Sequence, residues 1–236
     1  MADILLVHGS CHGAWTWRDT IPSLQALGHN PMAIDLPSHG DDQTPVNEVA
    51  LDDYANAIIS ALSKPMVVVG HSMGGFPISL AAERRPDLFQ HLIYLCAYIP
   101  QPGMTLAQQR RAAPRQPLIP AVQLAEDGKS FTVAEDMQRQ IFYADCSDEQ
   151  VEFARRHLSP QAVAPNEVPV ALSARYAQVP HSYIRCIQDS AIPYEYQVTM
   201  TKGWPADRVG DMDTSHSPFF SAPNALAQHI DRFIRP

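Results

Sequence analysis

The chain has 236 residues, with 17 lysines and arginines against 25 aspartates and glutamates, for a formal charge of −8. That acidity argues against a phosphate-backbone partner, which needs clustered cations, and 45% hydrophobic against 18% charged residues excludes disorder. The longest nearly unbroken apolar run, Leu92 to Ile99, is far too short to span a bilayer, so no membrane partner is expected.

In chain order, the first apolar run is Ile4 to Val7, followed by a mixed segment, Trp15 to Leu27, that reads as a helix stopping at Gly28. Pro22 must then occupy an early turn or kink that helix. Pro31 to Leu36 is a second short apolar run. Leu51 to Leu62 places Leu51, Tyr54, Ala55, Ile58, Ile59 and Leu62 at helical spacing. Met66 to Val69 is a third strand, Met73 to Arg84 a helix ending before Pro86, and Leu92 to Leu95 a fourth strand. Unbroken runs of this length fit strands covered on both faces, and their alternation with helices fits a mostly parallel, doubly wound α/β sheet.

From about Gln101 to Pro169 the pattern changes. Eight prolines, beginning with Pro100, interrupt it, no strong strand is visible, and Glu135 to Leu158 reads as helical. The alternation then resumes with a strand at Tyr183 to Ile187, a helix at Pro193 to Thr201, a short strand at Arg208 to Met212 and a closing helix from about Asn224 to Phe233. The expected organisation is one domain over 1–236, with a helical cap inserted between sheet strands at about 101–169.

Cysteines stand at 11, 96, 146 and 186, with no zinc or redox spacing, and Cys96 and Cys186 lie in apolar runs as buried small hydrophobes. The start, Met1-Ala2-Asp3-Ile4, lacks a basic segment followed by an apolar stretch. Free thiols and a cytoplasmic location are therefore the expectation. Nothing calls for a metal or an organic cofactor, and the sequence leaves monomer and dimer open.

The sharpest local signal is Gly70-His71-Ser72-Met73-Gly74, a G-x-S-x-G motif between a strand and a helix. About 0.08 chance matches are expected in a chain of this length. So tight a strand-to-helix turn strains the middle residue and projects its side chain, and it tolerates only glycine two residues to either side. Ser72 is the expected nucleophile. A serine hydroxyl needs a base, which in a sheet of this kind follows in the order Ser, then Asp or Glu, then His. His181 precedes a strand and His229 sits inside the closing helix, whereas His216 follows the last strand, at the carboxyl edge where such sites lie. Only neutral imidazole accepts the serine proton, so hydrolysis should rise from acid to neutral pH.

Asp189, directly after the strand at Tyr183 to Ile187, is the expected partner of His216. Asp211 and Asp213 are rivals, though close in sequence to the histidine, as is Glu195 on a helix. Oxyanion donors are expected from the backbone N–H of Met73, which follows the nucleophile, and from Ser10 in the loop His8-Gly9-Ser10-Cys11-His12-Gly13, with Cys11 able to replace Ser10. Gly9 lets that loop approach a substrate. Gly9, Cys11 and His71 are accordingly candidates to line the substrate, and His71 is expected to pack beside the turn rather than act as a base. Arg110, Arg111 and Arg115 in the cap read as a solvated face.

These blocks resemble the α/β-hydrolases, and within them the branch of plant methylesterases, plant hydroxynitrile lyases and small bacterial carboxylesterases. The matching pieces are Val7 to Trp15, Ala26 to His29, Ala33 to Leu36, Val69 to Gly75, Gln188 to Pro193 and Asp213 to His216. The cap does not match. The resemblance implies Ser72, Asp189 and His216 as a triad, with Ser10 and Met73 as oxyanion donors. Plant lyases of this branch carry Glu before the nucleophile, Thr at the position of Gly9 and Lys just after the histidine. Here those residues are His71, Gly9 and Ser217. Without the lysine no cation stabilises a departing cyanide, which favours hydrolysis. The expected activity is serine carboxylester hydrolysis of small to medium apolar esters. The alternatives are a lyase on the same triad or a slow-turnover ligand-binding module.

Overall fold

The computed structural model describes residues 1–235. In chain order the first half comprises β1 (Asp3–Val7), α1 (Thr20–Ala26), β2 (Asn30–Ile34), α2 (Leu51–Ala61), β3 (Met66–His71), α3 (Gly75–Arg84) and β4 (Phe89–Leu95). There follow α4 (Leu106–Ala112), β5 (Val122–Leu124), β6 (Ser130–Val133), α5 (Glu135–Phe142), α6 (Asp148–Arg155), β7 (Gln161–Ala162) and α7 (Ala174–Ala177). The chain closes with β8 (His181–Cys186), α8 (Tyr194–Met200), β9 (Val209–Met212), α9 (Pro218–Ser221) and α10 (Pro223–Ile234).

Six strands form one parallel sheet in the order β2-β1-β3-β4-β8-β9. Successive side chains of a strand point to opposite faces, and in β1 both faces are buried. Leu5 and Val7 join Val68, Tyr94, Tyr54 and Phe76 on the side of α2 and α3. Ile4 and Leu6 join Val67, Ile93, Phe219 and Ile230 on the side of α10. Two-sided burial explains why these strands read as continuous apolar runs rather than as alternation.

The segment between β4 and β8 differs from the sequence reading in its strands. It holds a three-stranded antiparallel sheet, β5-β6-β7, where no strong strand was visible. Asp127-Gly128 turns the β5–β6 hairpin with Gly128 at φ +69°, a conformation glycine adopts freely, and Ala125 N–H donates to Ser130 O at 2.9 Å. The strands are so short that the signal reduces to this turn.

Two expected helices are also broken. Trp15 to Leu27 is a 3₁₀ turn at Ala14–Trp17 and then α1, whose start at Thr20 places Pro22 in the first turn, where no amide proton is needed. Glu135 to Leu158 divides into α5 and α6. Ser147 Oγ accepts from Gln150 N–H at 3.2 Å while Gln150 Oε1 accepts from Ser147 N–H at 2.9 Å, a reciprocal cap that restarts the helix.

Candidate active site

At the carboxyl end of β3 the chain turns directly into α3, and Ser72 sits at the turn with φ +56°. A non-glycine residue there is strained by about 1–3 kcal/mol and persists only where its surroundings impose it. The surroundings are close-packed backbone. A Cβ on Gly74 would lie 2.7 Å from His8 O, and a Cβ on Gly9 would lie 2.7 Å from Ser72 Cβ and 2.8 Å from His71 Nδ1. The β1 loop and the β3 turn can therefore touch only as glycine backbones.

The β1 loop is fixed by neutral histidines. Leu36 N–H donates to His8 Nε2 at 3.0 Å, which leaves the proton on Nδ1, and Nδ1–H donates to Gly9 O at 2.8 Å. His12 Nδ1–H donates to Ser10 O at 2.7 Å, and its Nε2 accepts from the Tyr143 hydroxyl at 2.7 Å. Burial holds His8 well below the ordinary histidine range and lowers His12 to about 3. Ser10 N–H has no protein acceptor among the described residues, whereas Cys11 N–H is taken by Gln161 Oε1 at 3.4 Å. The Cys11 thiol is buried and, chiefly for that reason, pushed up to about 12, so it is no thiolate nucleophile.

His216 lies in the loop after β9, with Nδ1–H donating to Asp189 Oδ2 at 2.7 Å. Asp189 Oδ1 accepts from Ala191 N–H at 2.7 Å and from Ile192 N–H at 2.8 Å, and Gln197 Nε2 donates to Oδ2 at 3.1 Å. Four donors thus converge on one carboxylate that is 3% exposed, which is what a buried charge requires. The rival acids are occupied elsewhere. Asp211 pairs with Arg185 at 2.7 Å, Asp213 accepts from Gln188 at 2.7 Å, and Glu195 pairs with Arg115 at 2.6 Å. His181 donates to Val179 O at the start of β8, and His229 is half-buried in α10.

The backbone of His216 is anchored as firmly as its ring. His71 Nε2–H donates to His216 O at 2.9 Å, the Cys96 thiol reaches the same oxygen at 3.6 Å, and the His71 and His216 ring centroids are 4.5 Å apart. His71, adjacent to Ser72, is thus fully buried against the histidine loop. Burial, then the neighbouring His216, keeps its imidazole well below the ordinary range. One residue before His216, Ser215 N–H donates to Asp145 Oδ2 at 2.9 Å and its hydroxyl to Asp145 Oδ1. Among the described residues no hydrogen bond links Ser72 Oγ to His216. Ser72, Asp189 and His216 nonetheless all follow the carboxyl ends of sheet strands, and the Gly9 loop packs against Ser72.

His71, Cys96 and His216 also bring possible ligand atoms within 4.8 Å of one another, the sole such group of three among the described residues. Two of the three already donate to the His216 carbonyl, and burial pushes the Cys96 thiol well up, which keeps it protonated. The set is hydrogen-bonded rather than shaped for an ion.

Sequence reasoning missed Gln197 and Asp145, because each acts across elements distant in sequence, and it read Tyr143 as lid packing. Gln197 is the clearest case. Fully buried, it also accepts from Cys186 N–H at 3.0 Å and donates to Ile192 O at 2.7 Å. Gln197→Leu is expected to destabilise the fold by about 2–4 kcal/mol, since it leaves a buried N–H and C=O unpaired and removes a donor from Asp189. Thermal melting checks this, and an unchanged midpoint would contradict it.

A family model described as "Alpha/beta hydrolase family" matches residues 4–229. The chain is 28% identical to Methylesterase 2 of Arabidopsis thaliana over 245 residues, covering 96% of this chain and 93% of that one. It is also 28% identical to a pyrethroid hydrolase of Sphingobium wenxiniae over 248 residues, 99% of this chain and 88% of that one. The crystal structure of a pyrethroid hydrolase from Sphingobium faniae superposes with a TM-score of 0.86 at 26% identity, covering 98% of this chain and 96% of the other.

Proposed function

The chain belongs to the alpha/beta hydrolase family, and from that premise we propose that it is a serine carboxylesterase acting through an acyl-enzyme on Ser72. Ester hydrolysis is the activity that the named relatives have in common. The observation that carries the mechanism is the 2.7 Å contact between His216 Nδ1 and Asp189, because it leaves Nε2 as the proton-accepting nitrogen.

Ser72 Oγ attacks the ester carbonyl as its proton passes to His216 Nε2. Asp189 stabilises the imidazolium. The carbonyl oxygen, now negative, receives hydrogen bonds from Met73 N–H and Ser10 N–H. His216 returns the proton to the departing alkoxide, and water then attacks the acyl-enzyme with His216 again as base. Contacts between nucleophile and base often tighten only when substrate is bound, so the missing hydrogen bond from Ser72 Oγ is compatible with this role. The tethers on His216 O, Ser215 and Ser10 O keep both halves of the machinery fixed while that happens.

Phenylmethylsulfonyl fluoride tests the nucleophile. Displacement of fluoride by Ser72 Oγ should place one sulfonyl group on the Ser72 peptide, seen by mass spectrometry, with loss of activity in proportion. A label on any other residue would overturn the assignment.

A further inference from the structure

A cavity of about 290 Å³ opens beside α4 and the β5–β6 hairpin, lined by Arg110, Arg111, Ile119, Val122, Phe131 and Glu167, with further aliphatic side chains and the buried amide of Asn166. It is at the small end of ligand cavities, about 300–1,000 Å³. In a chain of net charge −8 its one half-buried cation stands out, because most of the surface arginines that could be compared with it are matched. Arg115 pairs with Glu195, Arg185 with Asp211 and Arg84 with Asp52. Arg110 has no carboxylate within 4.0 Å among the described residues, and its Nε is buried without a partner. Arg111 and Glu167 lie at the exposed rim. The Arg110 guanidinium sits over the Phe131 ring at 5.7 Å, so its stem and one face are against apolar surface while its Nε donor is unsatisfied.

The guanidinium also lies beside the Tyr98 side chain. It is close enough to the Cys11 thiol and the Tyr98 hydroxyl to oppose the rise that burial imposes on both. Cys11 follows Ser10 directly, and Tyr98 N–H donates to Ser72 O at 3.0 Å. Cys11 Sγ also reaches Phe131 O, at 4.0 Å. The cavity wall at Phe131, over which Arg110 sits, therefore meets the Cys11 loop that adjoins Ser10.

Resting on the esterase reading, the geometry points to Arg110 as a specificity-determining residue that binds a free carboxylate at the far end of the substrate, which makes the preferred class half-esters of short dicarboxylic acids. The hydrocarbon chain lies in the cavity among Ile119, Val122 and Phe131, and the carboxylate makes charge-assisted hydrogen bonds to the guanidinium. The sequence alone reads Arg110 with Arg111 and Arg115 as a solvated face. Only the contacts separate it from Arg115, which is paired, and Arg111, which is exposed.

The test compares monomethyl succinate, glutarate and adipate with the matching primary amides, which keep the shape and lose the charge. Wild type should show kcat/KM at least tenfold higher for the acid than for the amide at one chain length. Arg110→Gln should lower kcat/KM for that acid at least tenfold more than for its amide, while Arg110→Lys retains part of the preference. Inhibition by the free dicarboxylate, measured against a p-nitrophenyl ester, should weaken in parallel. Thermal melting of both variants reports on folding. Equal kcat/KM for acid and amide in wild type, or equal loss on both in Arg110→Gln, would overturn the proposal and leave the esterase reading standing. Absence of turnover on every ester, p-nitrophenyl esters included, would overturn the esterase reading itself.

Discussion

Ser72→Ala is expected to lower kcat for p-nitrophenyl ester hydrolysis by a factor on the order of 10⁴ or more while leaving the fold intact. The size follows from the role, because removing the nucleophile of a serine, histidine and aspartate unit removes the covalent route and leaves only oxyanion stabilisation and binding. Retention of the fold follows from the backbone. Ser72 has φ +56°, and alanine meets the same steric conflict there as serine, so the strain is unchanged. The side chain contributes no hydrogen bond to packing among the described residues. Wild type and variant assayed in parallel over acetate to decanoate would also give a chain-length optimum, which gauges the acyl pocket. Equal activity in the two proteins would mean that Ser72 is not the nucleophile.

A second large effect concerns stability in acid. His8, His12 and His71 are buried and neutral, and burial, reinforced by neighbouring imidazoles and only partly opposed by hydrogen bonds to backbone carbonyls, holds them far below the ordinary histidine range, with His12 at about 3. In the unfolded chain each binds a proton near pH 6.5. Below that pH the unfolded state holds more protons than the folded one, so stability is complete above about 6.5 and is lost as pH falls toward the folded values. Each group contributes on the order of 1 kcal/mol per pH unit. Together they would consume a typical stability of about 5–15 kcal/mol within a few units.

Denaturant unfolding at pH 7.5, 6 and 5 should therefore give a slope of at least about three protons per molecule at the acid end, since His39, His91, His181 and His229 are also held below the ordinary range. His12→Gln should reduce that slope by about one. A free energy of unfolding that is constant from pH 7.5 to 5 would contradict the argument.

The sheet strands were legible because a strand covered on both faces must be apolar at every position, and Ile4 to Val7 and Met66 to Val69 satisfy that locally. The Ser72 turn was equally legible, since its glycine spacing answers a clash within a few residues of chain. The β5–β6 hairpin was not, because strands of three or four residues carry too little pattern to rise above Pro-rich surroundings.

What the sequence by itself determined is therefore local: the alternation of strand and helix, the strained serine at the end of β3, the glycine loop after β1 and the order of candidate residues along the chain. Tertiary structure decided everything that depends on pairing. Four acids could have faced His216. Asp189 does so because Arg185, Gln188 and Arg115 engage Asp211, Asp213 and Glu195, while Gln197 and two backbone amides fix the Asp189 carboxylate beneath the ring. Arg110, Arg111 and Arg115 look alike in sequence, yet only Arg110 is partly buried with an unpartnered Nε. Strand propensity and turn sterics act over a few residues, whereas the pairing of a charge depends on which distant segment the fold brings within about 3 Å.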